Sequence, residues 1–169
     1  MHTWTQIKKR LEQEYLAPSL RGRLTYFVTT YHGTHDSDEG RAAIRLDGCE
    51  ILKSNYYDRY GAFWQASRTR CAGGGDSDTA WVQAGYDALE AGEFYQADFY
   101  RAFAEFDRQP IAESLRSQNA IVRMFALLDR RVGKRTLLRL QRETADAPQW
   151  LMMILLVRME AEGMIRREI

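Results

Sequence analysis

Asp47-Gly48 stands between two short runs that each suit a pleated surface, Ala42-Ala43-Ile44-Arg45-Leu46 before it and Cys49-Glu50-Ile51-Leu52-Lys53 after it. Two-residue hairpin turns that match the twist of paired strands need positive φ at both central positions, which Asp-Gly accepts readily. The pair commits the middle of the chain to an antiparallel hairpin. Upstream, Leu24-Thr25-Tyr26-Phe27-Val28-Thr29-Thr30-Tyr31 is a run of β-branched and aromatic residues. With the polar loop from His32 to Gly40 joining it to the hairpin, the expectation over 22–54 is a three-stranded antiparallel meander.

Helical patterns flank this sheet. Thr3 and Gln6 have the spacing of a capping box, and Trp4, Ile7, Leu11 and Tyr15 recur with helical period before Pro18, predicting a helix over 1–18. From Asn55 to Asp76 no period is visible, and Gly73-Gly74-Gly75 reads as a loop. The helical part is expected over 78–165. Asp78 is the candidate cap of a helix carrying Trp81, Ala84, Ala88 and Leu89 and ending near Gly92. Phe94, Phe99, Ala102, Phe103 and Phe106 form an aromatic stripe, and Pro110 opens a short turn. Ile121, Phe125, Leu128 and Val132 predict a helix that runs to Gly133; Leu137, Leu138 and Leu140 anchor another. Trp150 to Val157 is apolar on all sides and is expected at the centre. The fold class is therefore α+β: an N-terminal helix, a small meander and a C-terminal helical cluster packed on it, in one domain over 1–169.

Charge is sorted along the chain although the formal net value is +1. Ala72 to Glu113 carries nine carboxylates against Arg101 and Arg108, whereas Arg123 to Arg142 carries seven cations against Asp129. Acidic and basic helices are expected to neutralise each other across the domain. Near-neutrality gives no global drive toward nucleic acid or anionic membrane. No apolar run approaches the ~20 residues that span a bilayer, and no secretory signal is visible at the N-terminus. Cys49 and Cys71 match no CxxC spacing and read as reduced thiols, so a cytoplasmic protein is expected.

Three segments, Ala17-Pro18-Ser19-Leu20-Arg21-Gly22-Arg23, Gly40-Arg41-Ala42-Ala43-Ile44-Arg45 and Leu128-Asp129-Arg130-Arg131-Val132-Gly133-Lys134-Arg135, resemble a family of small bacterial proteins of unknown function. The resemblance runs over most of the chain. It implies a bacterial cytosolic protein that is a whole domain, and it supplies no activity, ligand or site residue.

Candidate chemistry lies in three places. The loop from His32 to Glu39 collects His32, His35, Asp36, Asp38 and Glu39, a donor set that suits a divalent transition metal, although turn chemistry alone accounts for such a composition. Its acidic residues lack the closing Glu of a calcium loop, and 73–78 lacks the Gly-Lys-Ser/Thr ending of a phosphate loop. Arg130, Arg131, Lys134 and Arg135, continued by Arg139 and Arg142, form the best patch for an anionic partner; the competing readings are a helix C-terminus and internal pairing with the acidic helices. Tyr56 to Trp64, with Arg68 and Arg70, interleaves aromatics with cations. Such a segment either covers the open face of the sheet or, through Tyr57, Arg59, Tyr60 and Trp64, anchors a protein partner.

No nucleophile elbow or Cys–His pairing is apparent, and no cofactor is expected. The leading expectation is a protein-binding or regulatory module. The alternatives are a small metal-dependent enzyme centred on His32, His35 and Asp36, and a nucleic-acid-binding protein using the basic junction at 130–142.

Overall fold

The computed structural model describes residues 2–33, 39–74, 76–143 and 146–166. Its first helix, α1 (Trp4–Lys9), begins with the expected capping box: the Thr3 amide donates to Gln6 Oε1 at 2.9 Å, and the Gln6 amide donates back to Thr3 Oγ1. The helix then widens. Arg10–Tyr15 is π-wound and ends where the Leu16 amide donates to the Leu11 carbonyl. The predicted 1–18 helix thus changes pitch midway and stops at Tyr15, with Pro18 opening a separate 3-10 turn, Pro18–Leu20.

The meander has the expected topology. Strands β1 (Leu24–Thr30), β2 (Gly40–Leu46) and β3 (Cys49–Asn55) form one sheet in the order β1-β2-β3, with both pairings antiparallel. Asp47 and Gly48 take φ values of 50° and 84°, as a primed hairpin turn requires. Gly40 fits where any side chain is refused, since a Cβ there would lie 2.2 Å from the Thr29 carbonyl oxygen. Leu24, Tyr26, Ala42 and Ile44 point into the core, while Phe27 on the other face lies beneath the Arg41 and Arg45 guanidiniums.

The helical part begins earlier than 78. Asn55 ends β3 and caps α2 (Tyr56–Ala72), its side-chain oxygen accepting from the Tyr57 and Asp58 amides at 2.9 and 3.1 Å. No period marks this helix in the sequence because only Ser67 is buried along it; it packs chiefly on one neighbour, α3 (Ser77–Glu90). The cap of α3 is Asp76 rather than Asp78, accepting from the Thr79 amide. The aromatic segment therefore forms a helix beside α3 and does not blanket the sheet. That role falls to α1, the π turn and α4 (Gln96–Phe106), all in contact with β1.

After α5 (Ile111–Ser114), α6 (Ala120–Leu128) is buried on nearly every residue. It ends at Leu128, four residues before the sequence pattern does, because Asp129 turns extended and pairs as an isolated bridge with Leu16. Val132 still reaches the core from the turn that follows. Helices α7 (Lys134–Glu143) and α8 (Gln149–Ala161) complete the cluster. Arg158 of α8 is buried and donates to the carbonyls of Leu128, Asp129 and Val132, each at 3.1 Å, with an ion pair to Glu162 at 3.0 Å. Arg158, with the Ala17 amide on the Leu128 carbonyl at 2.9 Å, thus fills acceptors that the early end of α6 leaves open.

Pairing between the acidic and basic stretches is sparse. Among the described residues, Arg123 with Glu90 is the ion pair that joins them. Asp87 instead pairs with Arg70, Asp98 with Arg59 and Asp107 with Arg10. Cations of the first half of the chain do most of the neutralising expected of the later basic stretch.

Candidate functional site

Helix α2 places Tyr57, Tyr60 and Trp64 at intervals of three and four residues, so they share one side. Tyr60 stacks on Tyr56 with ring centroids 5.9 Å apart and meets Trp64 edge-on at 5.8 Å. The ladder continues across the helix pair, since Trp81 of α3 lies 5.1 Å from Trp64 and 5.2 Å from Phe63. Tyr95, just ahead of α4, closes the other end at 5.4 Å from Tyr56. Tyr57, Tyr60, Trp81 and Val82 remain 57, 50, 44 and 66% exposed. Isolated apolar residues at a surface are ordinary, but a joined set of large ones is not.

Arg59 faces the other way. Its guanidinium donates to the buried Asp98 carboxylate at 3.2 Å and to the Gly85 carbonyl at 3.1 Å, tying α2 to both α3 and α4. Burial pushes the Asp98 carboxyl above its ordinary value, outweighing the opposing pull of Arg59 and of the Tyr95 amide it caps. Of the four aromatic-segment candidates, three form the surface and Arg59 holds its foundation. A hollow of about 140 Å³ lies between Tyr56, Tyr60, Phe63 and Tyr95, walled by Arg59 and Arg101. A broader groove of about 560 Å³ follows the α2–α3 seam over Ala62, Ala66, Ala88 and Ala91, beside the Arg70–Asp87 pair.

Trp81, Val82 and Tyr95 were not legible as site residues. Trp81 fits the helical stripe expected to be core, and its exposure follows from α3 packing on a helix with no buried stripe of its own. The available signal was the density of aromatics on both sides of the Gly-rich loop.

The basic junction is divided. Arg131 is committed, donating through Nε and Nη2 to the buried Asp129 carboxylate at 3.0 and 2.8 Å while covering the Tyr15 and Phe106 rings. Lys134 donates to the Glu162 carbonyl at 2.9 Å. Arg130 contributes its amide to the Tyr15 carbonyl. Arg130 and Arg135 are exposed and form no ion pair among the described residues. Because α6 stops at Leu128, these cations do not cap its C-terminus as expected. Lys134 and Arg135 instead stand in the first turn of α7, the positive end of its dipole.

Of the metal candidates, His32 lies in a turn, and His35 and Asp36 fall outside the described residues. Glu39 is held by the Tyr57 hydroxyl, which donates to it at 2.7 Å; that bond pushes the Tyr57 phenol up. No cluster of three metal-capable side chains occurs among the described residues, and no helix among them is long and apolar enough to cross a membrane.

In comparison with known proteins, the model of the SF0329 protein family matches residues 3–159. No curated protein and no solved structure matches the chain.

Proposed function

We propose that this chain, which belongs to the SF0329 protein family, acts by binding another protein through the aromatic side of the α2–α3 pair. The supporting observation is the exposure of Tyr57, Tyr60 and Trp81 along one ladder of ring contacts fixed from beneath. Tyr and Trp carry much of the energy at protein interfaces, being large, rigid and able to donate a hydrogen bond at the rim. Preorganisation adds to this: Arg59 and Asp98 clamp the base of the pair, and Arg70 with Asp87 clamps its far end. Little side-chain entropy remains to be lost when a partner docks.

The test is affinity capture from the cells that express the protein, quantified by mass spectrometry. Wild type is compared with Tyr60→Ser/Trp81→Ser and with Arg135→Ser as a control for the basic junction. The reading expects a defined protein held by wild type and by the control but lost from the double variant. Capture that depends on Arg135 and is indifferent to the aromatic substitutions would overturn it.

A further inference from the structure

Elsewhere in the molecule, α5, α6, α7 and α8 border two neighbouring hollows. The first, about 310 Å³, carries the Arg116, Arg131 and Arg139 side chains with the Thr136 hydroxyl, over an aliphatic floor that includes Val132. The second, about 140 Å³, is lined chiefly by apolar side chains, among them Leu127, Leu151, Met152 and Leu155. Leu115, Arg116 and Leu140 belong to both. A cationic mouth thus lies beside a mostly aliphatic end, which Arg116 and Arg123 also line. Its larger part alone reaches the lower end of the ~300–1,000 Å³ range of small-molecule sites.

The charges at the mouth fix what it would accept. Arg131 is balanced by Asp129 and held rigid against the Tyr15 and Phe106 rings, its guanidinium still partly exposed. Arg139 is loosely matched by Glu143 at 3.7 Å. Arg116 forms no ion pair among the described residues, which leaves one uncompensated positive charge beside a fixed guanidinium and a hydroxyl. A single carboxylate satisfies that balance, and its two oxygens match the geometry of guanidinium donors. The adjoining aliphatic slot calls for a hydrocarbon tail.

We propose that the two hollows open into one slot that binds a medium-chain aliphatic carboxylate, head group at Arg116, Arg131 and Thr136 and tail beside Leu127, Leu151 and Leu155. The site is separate from the aromatic side of α2–α3, and its test does not depend on the reading of that surface.

The experiment is isothermal titration of the intact protein with octanoate, using octanol, butyrate and inorganic phosphate as comparison probes. Octanoate should bind at one site, with octanol and butyrate each at least about tenfold weaker, since one lacks the charge and the other most of the buried chain. Arg116→Ala removes an exposed side chain with no ion pair, so it should leave the melting temperature unchanged and weaken octanoate by about tenfold. Leu155→Asp should abolish tail binding; Leu127→Ala, a milder change, serves if that variant does not fold. Octanol binding as tightly as octanoate, phosphate binding more tightly, or Arg116→Ala having no effect would each overturn the proposal. So would displacement of octanoate by a single-stranded oligonucleotide with steep salt dependence, which would make the mouth a phosphate-backbone site.

Discussion

Arg10 and Tyr15 meet side by side on Asp107 because the turn between them is π-wound. Arg10 Nη2 donates to the Tyr15 hydroxyl at 2.7 Å, that hydroxyl donates to Asp107 Oδ1 at 2.6 Å, and Arg10 Nη1 reaches Asp107 Oδ2 at 2.7 Å. An α-helix aligns residues three and four apart, whereas the wider turn brings a pair five apart together. The distorted turn thus docks the first helix onto the end of α4.

This triad predicts two limbs in the pH dependence of stability. Burial, followed by the Asp107 hydrogen bond, pushes the Tyr15 phenol up to about 12. Its folded value lies above its unfolded one, so its contribution is whole below the ordinary 10.0 and lost as pH rises through about 12. Burial also pushes Asp107 up, but the Arg10 and Tyr15 hydrogen bonds prevail and hold it below the ordinary 3.8. That contribution is present above 3.8 and lost as pH falls through the lower folded value. Urea unfolding across pH should show both limbs. Tyr15→Phe should remove the alkaline one, and Asp107→Asn should flatten the acid one at a cost of about 1–2 kcal/mol in neutral buffer.

Arg158→Met should be among the most damaging single changes. It keeps the aliphatic stem but takes the side-chain donor from the Asp129 and Val132 carbonyls and one of two donors from that of Leu128, which retains the Ala17 amide. A loss of about 3–5 kcal/mol is expected by chemical denaturation. A loss below about 1 kcal/mol would show that water or a rearranged turn fills those acceptors equally well.

Arg59→Met should enlarge a pH effect already present in the wild type. Asp98 is already pushed up by burial, and without its guanidinium partner the charged form becomes costlier still. A carboxyl with a raised folded value stabilises the fold while protonated, and that stability declines as pH rises through its unfolded value. The variant should be less stable than wild type at neutral pH and should recover part of the difference in mild acid. A variant whose deficit is the same at both pH values would refute this.

Two glycines should respond oppositely to alanine. Gly61 lies inside α2 with open space where a Cβ would go, so Gly61→Ala should stabilise by about 0.5–1 kcal/mol. Gly92 has φ +84° and its added Cβ would stand 3.0 Å from Trp150 Cδ1, so Gly92→Ala should destabilise by about 1–2 kcal/mol. Thermal melts of the two variants, moving in opposite directions, check the pair.

The sheet was legible because its signals are local: Asp47-Gly48 sets the turn, and the flanking composition supplies the strands. Helix α2 was not, because a helix that buries little except against one neighbour carries no apolar stripe to read. The end of α6 was misplaced for a different reason. Val132 keeps helical spacing in the sequence, yet the break at Asp129 depends on Leu16 and Arg158, both remote along the chain. Tyr57, Tyr60 and Trp64 were found from composition, whereas Trp81 joins them only through tertiary packing. In the basic junction, residue type named Arg131 and Lys134, but only coordinates show that each already has a partner.

Glu162 has a further consequence, for the order in which the polypeptide can be completed. It accepts a hydrogen bond from Ser19, pairs with Arg158 and lends its carbonyl to Lys134. Two remote stretches, at Ser19 and Lys134, are thus fastened at a position synthesised after both of them. A nascent chain can make its meander early, since those strands are neighbours in sequence, but this latch waits until α8 and Glu162 have been synthesised.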